Sequence, residues 1–290
     1  MITVISAKGA TVGDNLLTDI LHNFLKSKGH NTSQHLAQST SLAIFGGGGL
    51  IWEHTYPPIL EEAQSAIKAG RKVIGIGLGV QGFHSLEKFS FLKHFKKITV
   101  RNPQSQTILK QLLDIDSTYT ADLAWLHTPQ LLPRETGKLG VVVPNMRAYP
   151  FLQRALAHFK DWKIKYIPFW PGMVAEYREA MKVTGGTIGP DHFNAVSDCE
   201  LVIAGHYHGV VACFLTQTPC IVIPYRDKVR WLVDELSYDK FLAMTEDEVV
   251  IKLKQISRLE NEVKEYMKVL TLEQRQKSLF NLRVIEAYLK

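Results

Sequence analysis

The feature that most constrains this 290-residue chain is its rhythm. Short, wholly apolar runs alternate with longer stretches whose apolar residues recur at helical spacing. "ITVISA", "SLAIFGGGG", "KVIGIGLG" and "KKITVRN" have the composition of buried strands. Between them lie "NLLTDILHNFLKSKG", "YPPILEEAQSAIKAG" and "PQSQTILKQLL". The first two of these close on Gly29 and Gly70, and the second carries prolines near its start, the usual punctuation of a helix. Strands that alternate with helices cannot pair as hairpins; they form a parallel sheet covered on both faces.

After the proline-containing stretch "LHTPQLLPRETGK" the pattern restarts. "ETGKLGVVVPN" predicts a strand, "YPFLQRALAHFKDW" a helix, "KIKYIPFW" a strand, "AVSDCELVIAGHYHGVVACFLTQ" a strand and a helix, and "PCIVIPY" a strand. From Thr245 onward the chain is helical, rich in Glu, Lys and Leu, without sustained heptads. The economical architecture is α/β with two domains, residues 1–133 and 134–290, a cleft between them, and a helical C-terminal segment. In such sheets ligands bind where the chain leaves the carboxyl ends of the strands.

Composition narrows the function classes. Hydrophobic residues make up 46% and charged residues 21%, ordinary for a globular protein. No segment has the ~18 uninterrupted apolar residues of a membrane span, and "MITVISAKG" reads as a first strand rather than a signal segment, so a cytoplasmic location is expected. Cys199, Cys213 and Cys220 form no Cys-x-x-Cys pair, which points to buried thiols rather than a disulfide framework. The net charge of +6 comes without a long basic block, so anionic small substrates rather than nucleic acid are expected.

Several junctions between strand and helix carry polar or glycine-rich sequence. In "SAKGATVGDNLL", Gly9 and Gly13 let backbone amides approach a ligand and Asp14 or Asn15 can cap the helix that follows. The four glycines of "FGGGGLIWEH" exceed what a turn needs, which suggests close approach of Gly47, Gly48 and Gly49 to a ligand or another loop. Trp52 and His54 follow, as an apolar wall and a proton donor or as packing. "GIGLGVQG" contains Gly77, Gly79 and Gly82 in dinucleotide spacing, but the acidic ribose partner ~20 residues on is missing, so NAD is not expected. Arg101 at the end of "ITVR", Asn145 and Arg147 in "VVVPNMRAYP", and Arg226, Lys228 and Arg230 in "PYRDKVRWL" place cations after three separate strands. That convergence suggests an anionic ligand.

In "VIAGHYHGVV", His206 and His208 stand inside an apolar stretch. On a strand their spacing would offer two zinc ligands from one face, yet no third or fourth ligand is marked, and no metal is expected. A helix starting after Gly205 would instead put them on different faces. Flanked by Gly205 and Gly209, the pair reads as a loop at a cleft.

Taken in order, "GDN", "FGGGG", "GIGLG", "ITVRNPQS", "TADLAWL" and "SDCELVIAGHYHGVVACFLTQTPCIVIPYRDK" resemble the polysaccharide pyruvyl transferase family. The resemblance runs from about residue 9 to residue 228, and its last stretch is the most specific. It implies two facing Rossmann-like domains of glycosyltransferase-B type, the first on the acceptor side and the second on the donor side. It also implies transfer of pyruvate from phosphoenolpyruvate, as co-substrate and with no other cofactor, onto two hydroxyls of a sugar or saccharide to form a ketal. His208 matches the family's histidine, a group suited to proton transfer near neutral pH. Arg101, Arg147, His206, Gly209 and Lys228 would hold the donor's carboxylate and phosphate. Gly13, Asp14, Asn15, Gly47, Gly48, Gly49, Gly77 and Gly79 would form the acceptor or cleft loops. The chain departs from the pattern at His206, where arginine is common, and at Ile76 and Val80, where glutamine and proline are usual. Two further readings stay open on this fold, a glycosyltransferase with a nucleotide-sugar donor and a non-catalytic ligand-binding protein. Oligomeric state is left open.

Overall fold

The computed structural model describes residues 1–290 except Lys8, Ala10, residues 82–86, Arg147, Ala148, Asp191, Tyr225 and Lys290. The chain divides into two compact units, Met1–His127 with Glu273–Lys290, and Thr128–Leu272.

The first unit runs β1 (Ile2–Ile5), α1 (Val12–Ser27), β2 (Thr32–Ser33), β3 (Leu42–Ile51), α2 (Pro57–Lys68), β4 (Lys72–Val80), β5 (Lys97–Val100), α3 (Pro103–Leu113) and β6 (Thr118–Tyr119). Its six strands lie in the order β2-β1-β3-β4-β5-β6, all parallel. The order reverses between β1 and β3, so the sheet opens a crevice at their carboxyl ends. The expected helices fall in place: α1 is followed by Gly29 and α2 by Gly70, both with positive φ. Apolar residues of β1, β3, β4 and β5 pack with α2 and α3 in one cluster that includes Phe45, Phe89, Val100 and Leu109.

The second unit comprises β7 (Glu135–Val142), α4 (Pro150–Ala157), β8 (Lys163–Tyr166), α5 (Met173–Thr184), β9 (Thr187–Ile188), β10 (Cys199–Ala204), α6 (Tyr207–Thr216), β11 (Cys220–Val222), α7 (Asp227–Glu235) and α8 (Glu246–Arg258). Its parallel strands run β11-β10-β7-β8-β9, and here the order reverses between β7 and β10. Every residue of α6 is buried, which explains why its sequence is apolar all round rather than striped. Helix α8 starts on a capping box: Thr245 accepts from the Glu248 amide and the Glu248 side chain returns to the Thr245 amide.

The last helix, α9 (Glu260–Leu289), contributes its first half to the second unit and its second half to the first. The expected split left all of it with the second domain. Polar side chains account for the difference. Asn281 accepts hydrogen bonds from Thr99 and Thr120 and donates to the Ala121 carbonyl, while Ser278 donates to the carbonyl of Asp122. Arg275 donates to the carbonyls of Trp125 and His127.

The thiols of Cys199, Cys213 and Cys220 are free and buried. Burial pushes the Cys199 thiol up to about 12. Among the described residues, no helix is long and apolar enough to cross a membrane.

Candidate functional site

Each unit presents chemistry at the point where its strand order reverses. In the second unit the site grows from the ends of β7, β10 and β11. The amides of Gly205 and His206 both donate to the Val142 carbonyl, at 2.8 and 3.2 Å, so the chain leaving β10 is stapled to the end of β7. Only a glycine fits at 205, because a Cβ there would lie 2.8 Å from the Ile223 carbonyl oxygen. His206 then takes an extended conformation as the N-cap of α6, and the Val210 amide donates to its carbonyl to open the helix.

The junction is therefore a helix start, and His206 and His208 do not share a strand face. Their rings lie 5.9 Å apart. His208, in the first turn of α6, is only 4% exposed, with the Tyr207 ring set edge-on at 5.2 Å. The half-buried His206 ring packs 5.7 Å from Phe169, which follows β8 and meets Phe193 at 5.8 Å. Gly209 has a packing role that the sequence did not reveal: a Cβ there would come within 2.7 Å of Val142 Cγ1, so its absence seats the first turn of α6 on β7.

The remaining strand ends supply charge and scaffolding. Lys228 lies half-buried in the first turn of α7, whose N-cap is the exposed Arg226, and Arg230 pairs with Asp234 at 3.2 Å. Asn145 follows β7 and is half-buried; Arg147, two residues on, lies outside the described residues. Tyr149 Oη donates to the Pro224 carbonyl at 3.0 Å, tying the chain after β11 to the start of α4. Tyr177 Oη accepts from the Val143 amide and donates to the Ile167 carbonyl, so one phenol fixes the ends of β7 and β8. Burial raises the Tyr177 phenol well above its ordinary value and keeps it protonated as that donor. The sequence reading passed over Tyr149, Phe169 and Tyr177. Their signal was position, since Tyr149 and Phe169 follow strands just as Asn145 and Lys228 do.

In the first unit the corresponding point joins α1 to the glycine run. Thr11, rather than Asp14 or Asn15, caps α1: its hydroxyl accepts from the Asp14 amide and donates to Asp14 Oδ2 at 2.7 Å. Asn15 Oδ1 accepts from the Gly9 amide. The glycine run is not a loop but the end of β3, and protein groups explain its composition. Gly47 and Gly48 have φ of +82° and +102°, and a Cβ on them would lie 3.0 Å from Leu17 Cβ and 2.7 Å from Asp14 Oδ1. Gly13 is buried in the same first turn of α1. A Cβ on Gly49 would overlap Gln81. Gly77 adopts φ of +60° with its amide donating to Thr99, and a Cβ on Gly79 would overlap the Arg101 guanidinium.

Arg101 directly follows β5, but its side chain turns inward. The guanidinium is 1% exposed and pairs with the fully buried Asp122 at 3.1 Å. It is a structural cation of the first unit, packed on Gly79 and near Gly49, and is not displayed to a ligand. Among the described residues no group of three or more His, Cys, Asp or Glu side chains is disposed to hold a metal ion.

Two parallel sheets, each flanked by helices and each with polar side chains at its reversal point, define a glycosyltransferase-B-like fold. Solved structures agree. The glycotransferase of kitacinnamycin is similar over 99% of this chain and 98% of its own, with TM-score 0.59 and 11% identity. T4 phage BGT, solved in complex with UDP and Mn2+, is similar over 99% and 98%, with TM-score 0.54 and 8% identity. A functionally uncharacterised protein from Klebsiella pneumoniae is similar over 84% and 92%, with TM-score 0.55 and 14% identity. At such identities each likeness speaks for the fold alone.

Within that class the sequence itself is more specific. The model of the polysaccharide pyruvyl transferase family matches residues 12–227, and the chain belongs to this family of transferases. No curated protein matches the sequence.

Proposed function

We propose that this protein transfers the pyruvyl group of phosphoenolpyruvate to two hydroxyls of a saccharide, forming a cyclic ketal and releasing phosphate. The observation that carries this reading is His208, buried in the first turn of α6 beside the reversal point of the second sheet. A proton donor held there stands where α/β folds bind their ligands.

In the proposed sequence, protonated His208 gives its proton to the methylene carbon of phosphoenolpyruvate. The adjacent carbon becomes oxocarbenium-like, and a saccharide hydroxyl adds to it. That hydroxyl's proton returns to the imidazole and restores the acid. The bond from carbon to phosphate oxygen then breaks, the second hydroxyl adds to the same carbon, and its proton leaves with the phosphate. Lys228, Arg147, His206 and the first amides of α6 would receive the donor's phosphate and carboxylate, an arrangement that suits a helix start. Arg101 has no part in this scheme, because Asp122 engages it within the first unit. Asp14, half-buried beside Gly48, would meet the acceptor.

The test is calorimetric titration of phosphoenolpyruvate into the wild-type protein and into His206→Arg. Sub-millimolar binding by the wild type, followed by phosphate release with a saccharide panel, is the expected result. Silence from the wild type with binding by His206→Arg would mean that the site has been turned to another donor or to a non-catalytic role. Silence from both folded proteins would overturn the phosphoenolpyruvate reading, and retained nucleotide sugar in the purified protein would favour the glycosyltransferase alternative.

A further inference from the structure

The loop between β8 and α5, residues 167–172, sends two consecutive aromatic side chains in different directions. Phe169 is fully buried and packs on Phe193 and, at 5.7 Å, on the His206 ring, which lies 5.9 Å from that of His208. Trp170 turns outward. Of the five tryptophans in the chain it is the exposed one, at 48%, while Trp52, Trp125, Trp162 and Trp231 are buried or half-buried. An indole kept in water forgoes much of the apolar burial that makes tryptophan useful to a core.

That exposure is built in. Pro168 and Pro171 flank the aromatic pair and fix the backbone on either side. Tyr177 Oη donates to the Ile167 carbonyl, the Met173 amide to the Trp170 carbonyl at 3.0 Å, and the Val174 amide to the Pro171 carbonyl at 3.2 Å. The six-membered ring of the indole rests on Gly172, where a Cβ would overlap its Cη2, Cζ3 and Cζ2 atoms. Gly172 itself has helical dihedrals, φ −62° and ψ −21°, which any residue adopts. The backbone therefore does not call for glycine at 172; the seated indole does.

The place of this loop says what the indole meets. Strand β8 neighbours β7, so its carboxyl end stands beside the point where β7 and β10 part. In the pyruvyl transfer proposed above, on which this step rests, two substrates meet there. Phosphoenolpyruvate is compact and anionic, and the face of an indole carries the negative side of its quadrupole. A pyranose ring offers the complement, a face of weakly positive C–H groups with its hydroxyls at the edge. The saccharide must also come within reach of His208, which takes its hydroxyl proton in that reaction.

We propose that Trp170 is the platform of the acceptor subsite, on which one pyranose ring of the saccharide stacks through its C–H face, and that Gly172 sets the position of that platform. Trp170 is then a specificity-determining residue that selects the ring and moves no proton.

Tryptophan emission of the protein loaded with phosphoenolpyruvate, titrated with the methyl pyranosides of glucose, galactose, mannose and their N-acetylamino counterparts, tests this. At least one glycoside shifts the emission of the wild type, and the shift is absent in Trp170→Phe. In phosphate release with that glycoside, Trp170→Ala raises the saccharide KM about tenfold or more, as loss of an aromatic anchor does. The rate at saturating saccharide and the calorimetric affinity for phosphoenolpyruvate change little, the pattern of lost ground-state binding. Trp170→Phe recovers most of the KM. Gly172→Ala keeps the indole but pushes it off its seat, and raises the KM with melting unchanged. A wild type that releases phosphate while Trp170→Ala keeps its saccharide KM overturns this inference and leaves the proposed reaction standing. Loaded protein whose emission ignores every glycoside, or answers only to uridine diphosphate, overturns it as well. A wild type that binds no phosphoenolpyruvate removes the reaction, and the acceptor platform with it.

Discussion

Arg101 Nη1 and Asp122 Oδ2 lie 3.1 Å apart with both side chains shut off from solvent. Asp122 also caps the short helical turn Leu123–Leu126 through the Ala124 amide, and Ser278 of α9 binds its carbonyl. Removing one member leaves the other charged and buried, a loss of about 3–5 kcal/mol. Asp122→Ala is therefore expected to destabilise the protein by that order in urea unfolding. Replacing Arg101 by Met in the same chain should restore part of the loss. A double-mutant cycle checks this, and additive losses would contradict the pairing.

Gly48 is fixed by two independent constraints. Its φ of +102° excludes an ordinary side chain, and a Cβ there would press on Asp14. Gly48→Ala is expected to cost about 1–3 kcal/mol from backbone strain alone. If only the contact mattered, Asp14→Ala would rescue it fully; because the backbone is also constrained, rescue is expected to be partial. Melting temperatures of the two single variants and the double variant decide between these.

These two sites also show how far the sequence carries. The alternation of strands and helices was legible because each long element has its own period, and α1, α2, α3, α4 and α6 fall where the apolar spacing put them. Strands β2, β6 and β9 have two residues each, too few to show a period. Helix α7 was hidden because "PYRDKVRWL" was read for its cations rather than for its spacing. The glycine run at 46–49 stood out as unusual, but its cause did not. It answers to Asp14, Leu17, Ile76 and Gln81, groups about 30 residues away in either direction, and local sequence carries no trace of such an approach. The burial of Arg101 likewise depends on Asp122 and on the missing side chain of Gly79. The junction between β10 and α6 was easier. Gly205, two histidines and Gly209 in an apolar run mark a loop at the end of a strand, and the structure resolves it as the start of α6.

Acid sensitivity should centre on the second unit. Burial by itself would raise the Asp198 carboxyl, but hydrogen bonds from Lys165 and Lys138 outweigh it and hold the group below its ordinary value. A carboxylate lowered on folding contributes stability that is fully present above its unfolded value, about 3.9, and is lost as pH falls through the folded value. Asp198→Asn is expected to cost about 3 kcal/mol at neutral pH, since it leaves the buried Lys165 ammonium without its counter-ion. The gap between wild type and variant should narrow as pH drops below about 4. Unfolding free energies measured at several pH values test the sign; a gap that widens in acid would refute it.

The sharpest prediction concerns His208. In the proposed reaction its proton creates the electrophile, whereas binding of the donor's anionic groups falls to Lys228, Arg147 and the helix start. His208→Gln keeps a buried polar side chain in the first turn of α6 but has no proton to give. Phosphate release from phosphoenolpyruvate with saccharide should fall by about 10²–10⁴-fold, the usual contribution of general acid catalysis. Calorimetric affinity for phosphoenolpyruvate should change little. Lys228→Ala should show the opposite division, with weakened donor binding and a smaller effect at saturating donor. If His208→Gln abolishes binding as well as turnover while melting like the wild type, the histidine holds the donor rather than protonating it, and the acid must be sought among the other groups at the ends of β7 and β10.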